Sequence, residues 1–384
     1  MSLQHNNSKF LSSILLASLA SAALAGCDVG FDLSLPDSAP VVTDGAHADE
    51  PLRCDAGTPG SAPIAPDAGA PSNRQSRWFV IGNVNPGRSA DGSLKCGWTS
   101  VALDLDHRAT DPYEPASATA SCARASGAPS NTLLDGVGGV DDNFVEQVLP
   151  VINGLDYCFD SSMSSGDAAM LLRLDAAAND DATQVGGAVF LAHRDPSALD
   201  GGASQAWRVD ARSLADGATL SRPIATFSAG YVRDGVWVSG EATGRAMLPL
   251  MIQPSFWKCD PTSPLSEADL PIARTQLVVH LNPVDGSQSI VAGVMPSAEL
   301  AAALIPSLIG DVCLSDSLRQ SAIETFSQAA DTVLAAPDLN DPSVTCDSIS
   351  LGLGFTIQAI DAPTAVVPAP VIATPAGCGD AGAD

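Results

Sequence analysis

The residues best suited to chemistry in this chain are aspartates in its first half. Asp104 and Asp106 share one face of an alternating apolar segment, and further oxygen donors lie in the sequence DGVGGVDDN. The donors within that sequence are Asp135, Asp141, Asp142 and Asn143. Hard cations such as Ca²⁺ take six to eight oxygen ligands, which Asp and Asn in a glycine-containing loop supply. These residues are therefore a candidate calcium site, although their spacing is not that of an EF-hand loop.

Helix capping explains the same residues without a metal. Asn143, followed three residues later by Glu146, matches a capping box, and acidic residues favour the positive end of a helix dipole. Because acidic helix starts are common, we favour capping over calcium binding for this loop.

Catalytic motifs of the common hydrolases are absent from the sequence. It contains neither G-x-S-x-G nor H-E-x-x-H, and His193-Arg194-Asp195 matches the kinase catalytic triplet in three letters only. Two carboxylates that hydrolyse a glycosidic bond can come from anywhere among the 44 acidic residues. A carbohydrate hydrolase therefore stays open as the alternative function.

Cysteine usage predicts export to an oxidising compartment. The chain has nine cysteines, none in C-x-x-C spacing, which argues against zinc knuckles and redox dithiols. Setting Cys27 aside leaves an even set, which predicts four disulfides. That set is Cys54, Cys96, Cys122, Cys158, Cys259, Cys313, Cys346 and Cys378. Eight cysteines allow 105 connectivities, and short loop closure favours Cys96–Cys122 and Cys313–Cys346.

The first residues describe a secretory signal. Lys9 is followed by an uncharged stretch that is short and rich in Ser and Ala, which is typical of a signal peptide and not of a membrane span. The stretch ends in Leu24-Ala25-Gly26-Cys27, which resembles the lipobox of bacterial lipoproteins. The resemblance implies cleavage before Cys27 and acylation of that cysteine, with chains such as palmitate, as a membrane anchor. Several acyl chains give durable anchoring, since each buried CH₂ contributes about 0.8 kcal/mol.

Composition divides the chain into four parts. Residues 1–26 are the predicted signal peptide, and residues 27–76 are the lipidated cysteine followed by a Pro/Ala/Gly/Asp tether that is predicted to be disordered. Residues 77–362 are predicted to form one β-rich domain with a helical segment at about 297–335. Residues 363–384 resemble the tether in composition and are predicted to be a flexible tail.

Periodicity predicts a mainly β fold for the domain. Several segments alternate apolar and polar residues, including Val101–Leu105 and Leu351–Ile357. Asp234-Gly235 between two apolar runs is a hairpin signal, because both residues suit the positive φ angles of a type I′ turn. We expect an antiparallel β-sandwich of jelly-roll or lectin-like type, disulfide-bonded, with a late helical insertion.

The net charge argues against nucleic acid as a partner. Eighteen basic against 44 acidic residues give a charge of −26, whereas nucleic-acid binding needs a basic field.

Two segments of the chain resemble segments of envelope lipoproteins of high-GC Gram-negative bacteria, namely DGVGGVDDNF and CDSISLGLGFTIQAI. That group has no established activity, so the resemblance implies a compartment and a shared fold. The sequence therefore predicts a lipid-anchored envelope protein, in the periplasm or at the cell surface. Its domain is expected to be a non-catalytic module that binds a glycan or an envelope protein, or that serves structurally.

Overall fold

The computed structural model describes thirteen stretches of the chain. They are residues 62–67, 75–87, 97–108, 120–129, 132–133, 135, 139–149, 168–175, 181–195, 206–252, 266–282, 288–309 and 316–368. Six of the eight cysteines predicted to pair, the predicted acylation site Cys27 and the predicted signal peptide lie outside these residues.

The described residues form fifteen strands and a few helices. The strands are β1 (Arg77–Asn85), β2 (Cys122–Ala123), β3 (Ala168–Leu174), β4 (Ala182–Thr183), β5 (Gly187–Arg194), β6 (Trp207–Asp210), β7 (Ala225–Phe227), β8 (Tyr231–Arg233), β9 (Val236–Val238), β10 (Arg245–Ile252), β11 (Ser266–His280), β12 (Ser289–Pro296), β13 (Asp341–Thr345), β14 (Ser348–Ile360) and β15 (Ala365–Val367). The helices are α1 (Ser297–Ile309), α2 (Asp316–Gln328), the one-turn π-helix Phe144–Val148 and the 3₁₀ turns Gly97–Ser100 and Ala211–Ser213. The mainly β class with a late pair of helices is confirmed.

Thirteen strands belong to one large sheet. Its order is β15-β6-β5-β3-β1-β14-β12-β11-β9-β8-β4, with β10 added on β11 and β7 on β5. The pairings are antiparallel except for β15 with β6. The predicted type I′ hairpin joins β8 to β9, where Asp234 and Gly235 have φ angles of 51° and 75°.

The long strand β11 folds the sheet over on itself. Its first half pairs with β10, and its second half pairs with β12 and β9; Arg274, with a φ of 50°, lies where the pairing changes. β10 lies against β3 and β5, so Leu248 and Leu270 belong to the same apolar core as Met170 and Leu172. Two layers of strands thus enclose the main core, and this layered burial supplies the driving force for the fold.

The helices cover one part of this core. α1 packs on β11 and β12, and α2 packs on α1, which buries Leu300, Leu304 and Phe326. The sequence pattern extends the helical stripe to residue 335, but α2 ends at Gln328 and turns follow it. α1 continues through Pro306, where the sequence suggests a kink. No helix among the residues described is long and apolar enough to cross a membrane.

The disulfide in the structure differs from the two cysteine pairs that the sequence favoured. Cys122 is bonded to Cys346, with a Cα–Cα distance of 5.3 Å and 224 positions between the two residues. The predicted pairs Cys96–Cys122 and Cys313–Cys346 are therefore wrong. Short loop closure misled the prediction because β2 and β13 lie side by side as a parallel pair, which brings distant parts of the chain together.

The folded domain includes residues beyond both of its predicted ends. The Tyr231 hydroxyl donates a hydrogen bond to the carbonyl of Pro63, so part of the segment predicted as a tether lies against the domain. At the other end β15 lies beyond residue 362 and pairs with β6, so the sheet continues into the segment predicted as a tail. Residues 369–384 lie outside the described part of the chain.

Candidate functional site

Three aspartates converge in the structure. Asp104, Asp106 and Asp141, which we call the aspartate cluster, each place a carboxylate oxygen within 4.8 Å of the other two. An isolated antiparallel bridge between Leu103 and Asp141 brings the two segments together. The Asp141 carboxylate accepts a hydrogen bond of 2.7 Å from the Leu105 backbone N–H, which keeps it beside the other two carboxylates.

The segment predicted as a strand at Val101–Leu105 forms only this single bridge. The Asp106 carboxylate accepts a 2.9 Å hydrogen bond from the backbone N–H of Arg108 and another from the Ser121 hydroxyl. Such a local side-chain to backbone bond closes a turn and competes with ladder pairing. The alternation instead buries Leu103 and Leu105 in a small apolar cluster.

Burial disfavours ionisation of these three carboxyl groups. Desolvation raises the pKa of Asp104 and Asp106, and it raises the pKa of Asp141 well above the usual range, with the negative charge of Asp106 adding to the effect. Hydrogen bonds from the Ser121 hydroxyl and the Arg108 backbone N–H act in the opposite direction on the pKa of Asp106, as does the charge of Arg108. Close carboxylates of this kind become neutral by holding a proton or by ligating a hard cation, for which carboxylate oxygens are the preferred ligands.

A further buried aspartate, Asp331, was missed in the sequence. Its carboxylate accepts hydrogen bonds from the backbone N–H and the hydroxyl of Ser350 on β14, and burial raises its pKa to about 8. The negative charge of Asp106 raises this pKa further. No local pattern marks Asp331, because it lies more than 180 positions from the aspartate cluster and comes near it only through the fold.

The other residues of the predicted calcium loop have structural partners. Asp142 accepts a 3.2 Å hydrogen bond from the Val145 backbone N–H at the start of the π-helix. Asn143 has helical φ and ψ angles and makes no capping bond; its amide donates to the carbonyls of Thr132 and Ala329. Capping is thus performed by Asp142, and the capping box predicted at Asn143 is wrong because that residue is already in the helical conformation.

The four residues predicted as metal ligands are therefore divided by the structure. Asp141 joins the aspartate cluster, Asp142 caps the π-helix, and Asn143 ties the loop to the end of α2. Asp135 is close enough for its charge to raise the pKa of Asp141. Calcium binding at this loop stays a prediction.

A second group of ionisable side chains lies at the edge of the core between the two layers. We call it the Glu267 cluster, and its members are His193, Asp210, Arg212, Glu267 and Asp269. His193 lies on β5, Asp210 ends β6, Arg212 lies in the turn after it, and the other two lie on β11. The sequence analysis considered His193 only as part of a kinase-like triplet and identified none of its partners.

Asp210 is the fully buried centre of the Glu267 cluster. It accepts hydrogen bonds from His193 Nε2 at 2.9 Å and from the backbone and guanidinium of Arg212 at 2.8–3.1 Å. These bonds lower the pKa of Asp210 in spite of its desolvation, so it is ionised. An ionised carboxylate only accepts hydrogen bonds, so Nε2 of His193 carries the proton in this pair.

Glu267 has the opposite electrostatic character. Desolvation raises its pKa to about 8, and the nearby Asp269 on the same strand acts in the same direction. Arg212 pairs with Asp269 and lies 3.6 Å from Glu267 Oε1, while His193 Nδ1 lies 3.9 Å from Glu267 Oε2. At neutral pH the cluster therefore contains the ionised Asp210, the Arg212 guanidinium and a protonated Glu267.

Comparison with known proteins adds no relative to this description. No family model, no curated protein and no solved structure matches the chain.

Proposed function

We propose that the chain is exported, lipid-anchored through Cys27, and held at a membrane of the cell envelope with its β-rich domain in the periplasm or at the cell surface. The observation that carries export is the buried Cys122–Cys346 disulfide, because disulfides persist in oxidising compartments and are rare in the cytosol. The lipobox-like sequence Leu24-Ala25-Gly26-Cys27 supplies the anchor in this proposal.

The domain itself is proposed to be a non-catalytic module that binds a glycan or an envelope protein, or that serves structurally. The hydrolase alternative needs two carboxylates that converge with different pKa values, and Glu267 with Asp269 comes nearest to this in the described residues. Asp269, however, already pairs with Arg212, and the same guanidinium lies 3.6 Å from Glu267 Oε1. The arrangement of both acids around one guanidinium favours a structural role over glycoside hydrolysis.

The anchor is tested by fatty-acid labelling. The full chain, expressed in a Gram-negative host fed an alkyne fatty acid, is expected to carry the label and to partition into the detergent phase. The variant Cys27→Ser is expected to lose the label completely, because the thioether-forming sulfur is gone, and to be released from the membrane once the signal is removed. Cys54→Ser, a substitution in the same segment, serves as the matched control and should label like the parent protein. Label retained by Cys27→Ser would overturn the proposed anchor.

A further inference from the structure

A short proline-containing segment lies against the domain without joining its sheet. Residues 62–67, with the sequence APIAPD, belong to no strand or helix, and the Tyr231 hydroxyl on β8 donates a hydrogen bond to the carbonyl of Pro63. Pro63 is half-buried and Pro66 is buried, whereas the residues around them are exposed. Ile64, which lies between the two prolines, is 89% exposed. The segment therefore turns its two prolines toward the domain and its other side chains toward solvent.

This three-residue period is that of a polyproline II helix. Such a helix has three residues per turn, so residues three positions apart lie on the same side of it. Pro63 and Pro66 are the one pair of prolines with this spacing in residues 27–76, where the other intervals between successive prolines are four residues or more. A polyproline II segment makes no internal hydrogen bonds, so its carbonyls can accept one from a tyrosine hydroxyl. Spacing, burial and hydrogen bonding are thus those of a Pro-x-x-Pro ligand on an aromatic side chain.

The domain's side of this contact is a fixed part of the sheet. Tyr231 begins β8, where it pairs with Thr183 on β4 and with Val238 on β9. Tyr231 also packs against the apolar cluster that contains Val238. Desolvation raises the pKa of its hydroxyl, so the group keeps its proton and can donate at neutral pH. A tyrosine held in this way offers an apolar ring beside a hydroxyl at a fixed position, which suits a proline and its carbonyl.

We propose that the surface around Tyr231, which we call the Tyr231 site, is a binding site for Pro-x-x-Pro segments, and that residues 62–67 occupy it in cis. Nine residues separate Asp67 from Arg77 at the start of β1. A tether of this length gives the segment an effective concentration in the millimolar range, so a weak intrinsic affinity is sufficient to fill the site. Prolines are already restricted to this conformation, so binding loses little conformational entropy.

The Tyr231 site deepens the proposed binding role by giving it a ligand class. A proline-rich segment of another envelope protein competes with residues 62–67 when its local concentration is comparable to that of the tethered segment. This assignment rests on the proposed function only for the compartment of that partner. Its test involves neither lipidation nor export, so the two proposals can fail separately.

The first test follows the Tyr231 signal by nuclear magnetic resonance in the full chain labelled with carbon-13 at its three tyrosines. Tyr231→Phe identifies that signal. In the spacing variant Pro66→Asp/Asp67→Pro the prolines are four residues apart while the composition is unchanged. This variant is expected to empty the site, to shift the Tyr231 signal, and to return the pKa of Tyr231 toward its ordinary value of 10. The matched control Pro71→Ser/Ser72→Pro makes the same kind of exchange outside the contact and should leave the signal unmoved. A Tyr231 signal that is unchanged in the spacing variant would overturn the proposal.

The second test supplies the ligand in trans. A synthetic peptide of residues 58–70, added to the spacing variant at up to about 10 mM, is expected to move the Tyr231 signal saturably back toward its position in the parent chain. The same peptide with Pro66 and Asp67 exchanged is expected to bind at least about tenfold more weakly, because its two prolines no longer lie on one side of the helix. Equal responses to the two peptides, or no response to either, would show that the contact at Tyr231 is not a Pro-x-x-Pro site.

Discussion

Removal of the Cys122–Cys346 disulfide is expected to lower the free energy of unfolding by about 5 kcal/mol. The bond closes a loop across 224 positions, and the chain-entropy model assigns roughly this stabilisation to a loop of that length. The loop contains most of the described sheet, from β3 to β13, so its loss increases the freedom of nearly the whole unfolded domain. The loss should appear in chemical unfolding of Cys122→Ala/Cys346→Ala compared with the parent chain, both fully oxidised.

Reductant supplies the internal control for this comparison. With all disulfides reduced, the parent chain and the double variant should differ by less than about 1 kcal/mol, since the remaining cysteines are common to both. Non-reducing peptide mapping should identify a peptide pair that contains Cys122 and Cys346. Peptides linking Cys122 to Cys96, or Cys346 to Cys313, would be incompatible with this expectation and with the parallel pairing of β2 and β13.

The second large effect is a loss of stability as the pH rises from 5 to 8. Asp331 is buried, and desolvation raises its pKa to about 8 from an ordinary value of 3.8, so the folded state holds a proton that the unfolded state releases. Its favourable contribution is present below pH 4 and declines as the pH rises toward 8, by up to about 1.4 kcal/mol per pH unit. We expect about 3 kcal/mol to be lost from this group between pH 5 and 8, in chemical unfolding with chelator present.

The variant Asp331→Asn separates the effect of Asp331 on stability from that of Glu267, whose raised pKa also makes the fold less stable as the pH rises. The amide keeps an acceptor for the Ser350 backbone N–H but carries no charge, so the variant should match the parent chain at pH 5 and exceed it at pH 8. Asp338→Asn, a change at an exposed aspartate seven positions further along the chain, serves as the control and should retain the full pH dependence. A parent chain whose stability rises from pH 5 to 8 would show that Asp331 is not protonated in the fold.

Thermal unfolding between pH 5 and 8, with millimolar Ca²⁺ or with chelator, tests the sequence-based prediction of a calcium site. A cation that binds the aspartate cluster only in the folded state must stabilise it by mass action, and most strongly at high pH, where no proton competes. Stabilisation of several degrees at pH 8 that is abolished by Asp141→Asn would support calcium at these carboxylates. Identical melting curves with calcium and chelator would leave protonation as the means by which the cluster becomes neutral.

Local patterns in the sequence were sufficient for several of the elements. The Asp234-Gly235 hairpin, the alternating strand at Leu351–Ile357 and the apolar stripe of the late helices were predicted, because turn chemistry and periodicity depend on residues within a few positions of each other. The alternation at Val101–Leu105, in contrast, forms a single bridge and no strand. The same reasoning predicted that acidic residues near positions 104 and 141 are special. It could not assign their roles. Asp142 caps the π-helix and Asp141 joins the aspartate cluster because the bridge to Leu103 fixes the position of Asp141.

Tertiary structure alone decided which side chains meet. Cys122 is bonded to Cys346, and Asp331 lies near Asp106. Glu267 on β11 lies beside His193 on β5. Each pair is separated by more than 70 positions of sequence. These contacts follow from the parallel placement of β13 beside β2 and from the bend of β11 over β5, neither of which has a local signature. The pKa values of the buried acids also follow from the fold, because desolvation depends on what the whole chain packs around each carboxyl group. Sequence by itself determined the β class and the acidic character, and it is the sole basis of the predicted lipid anchor, since these depend on composition and short-range order.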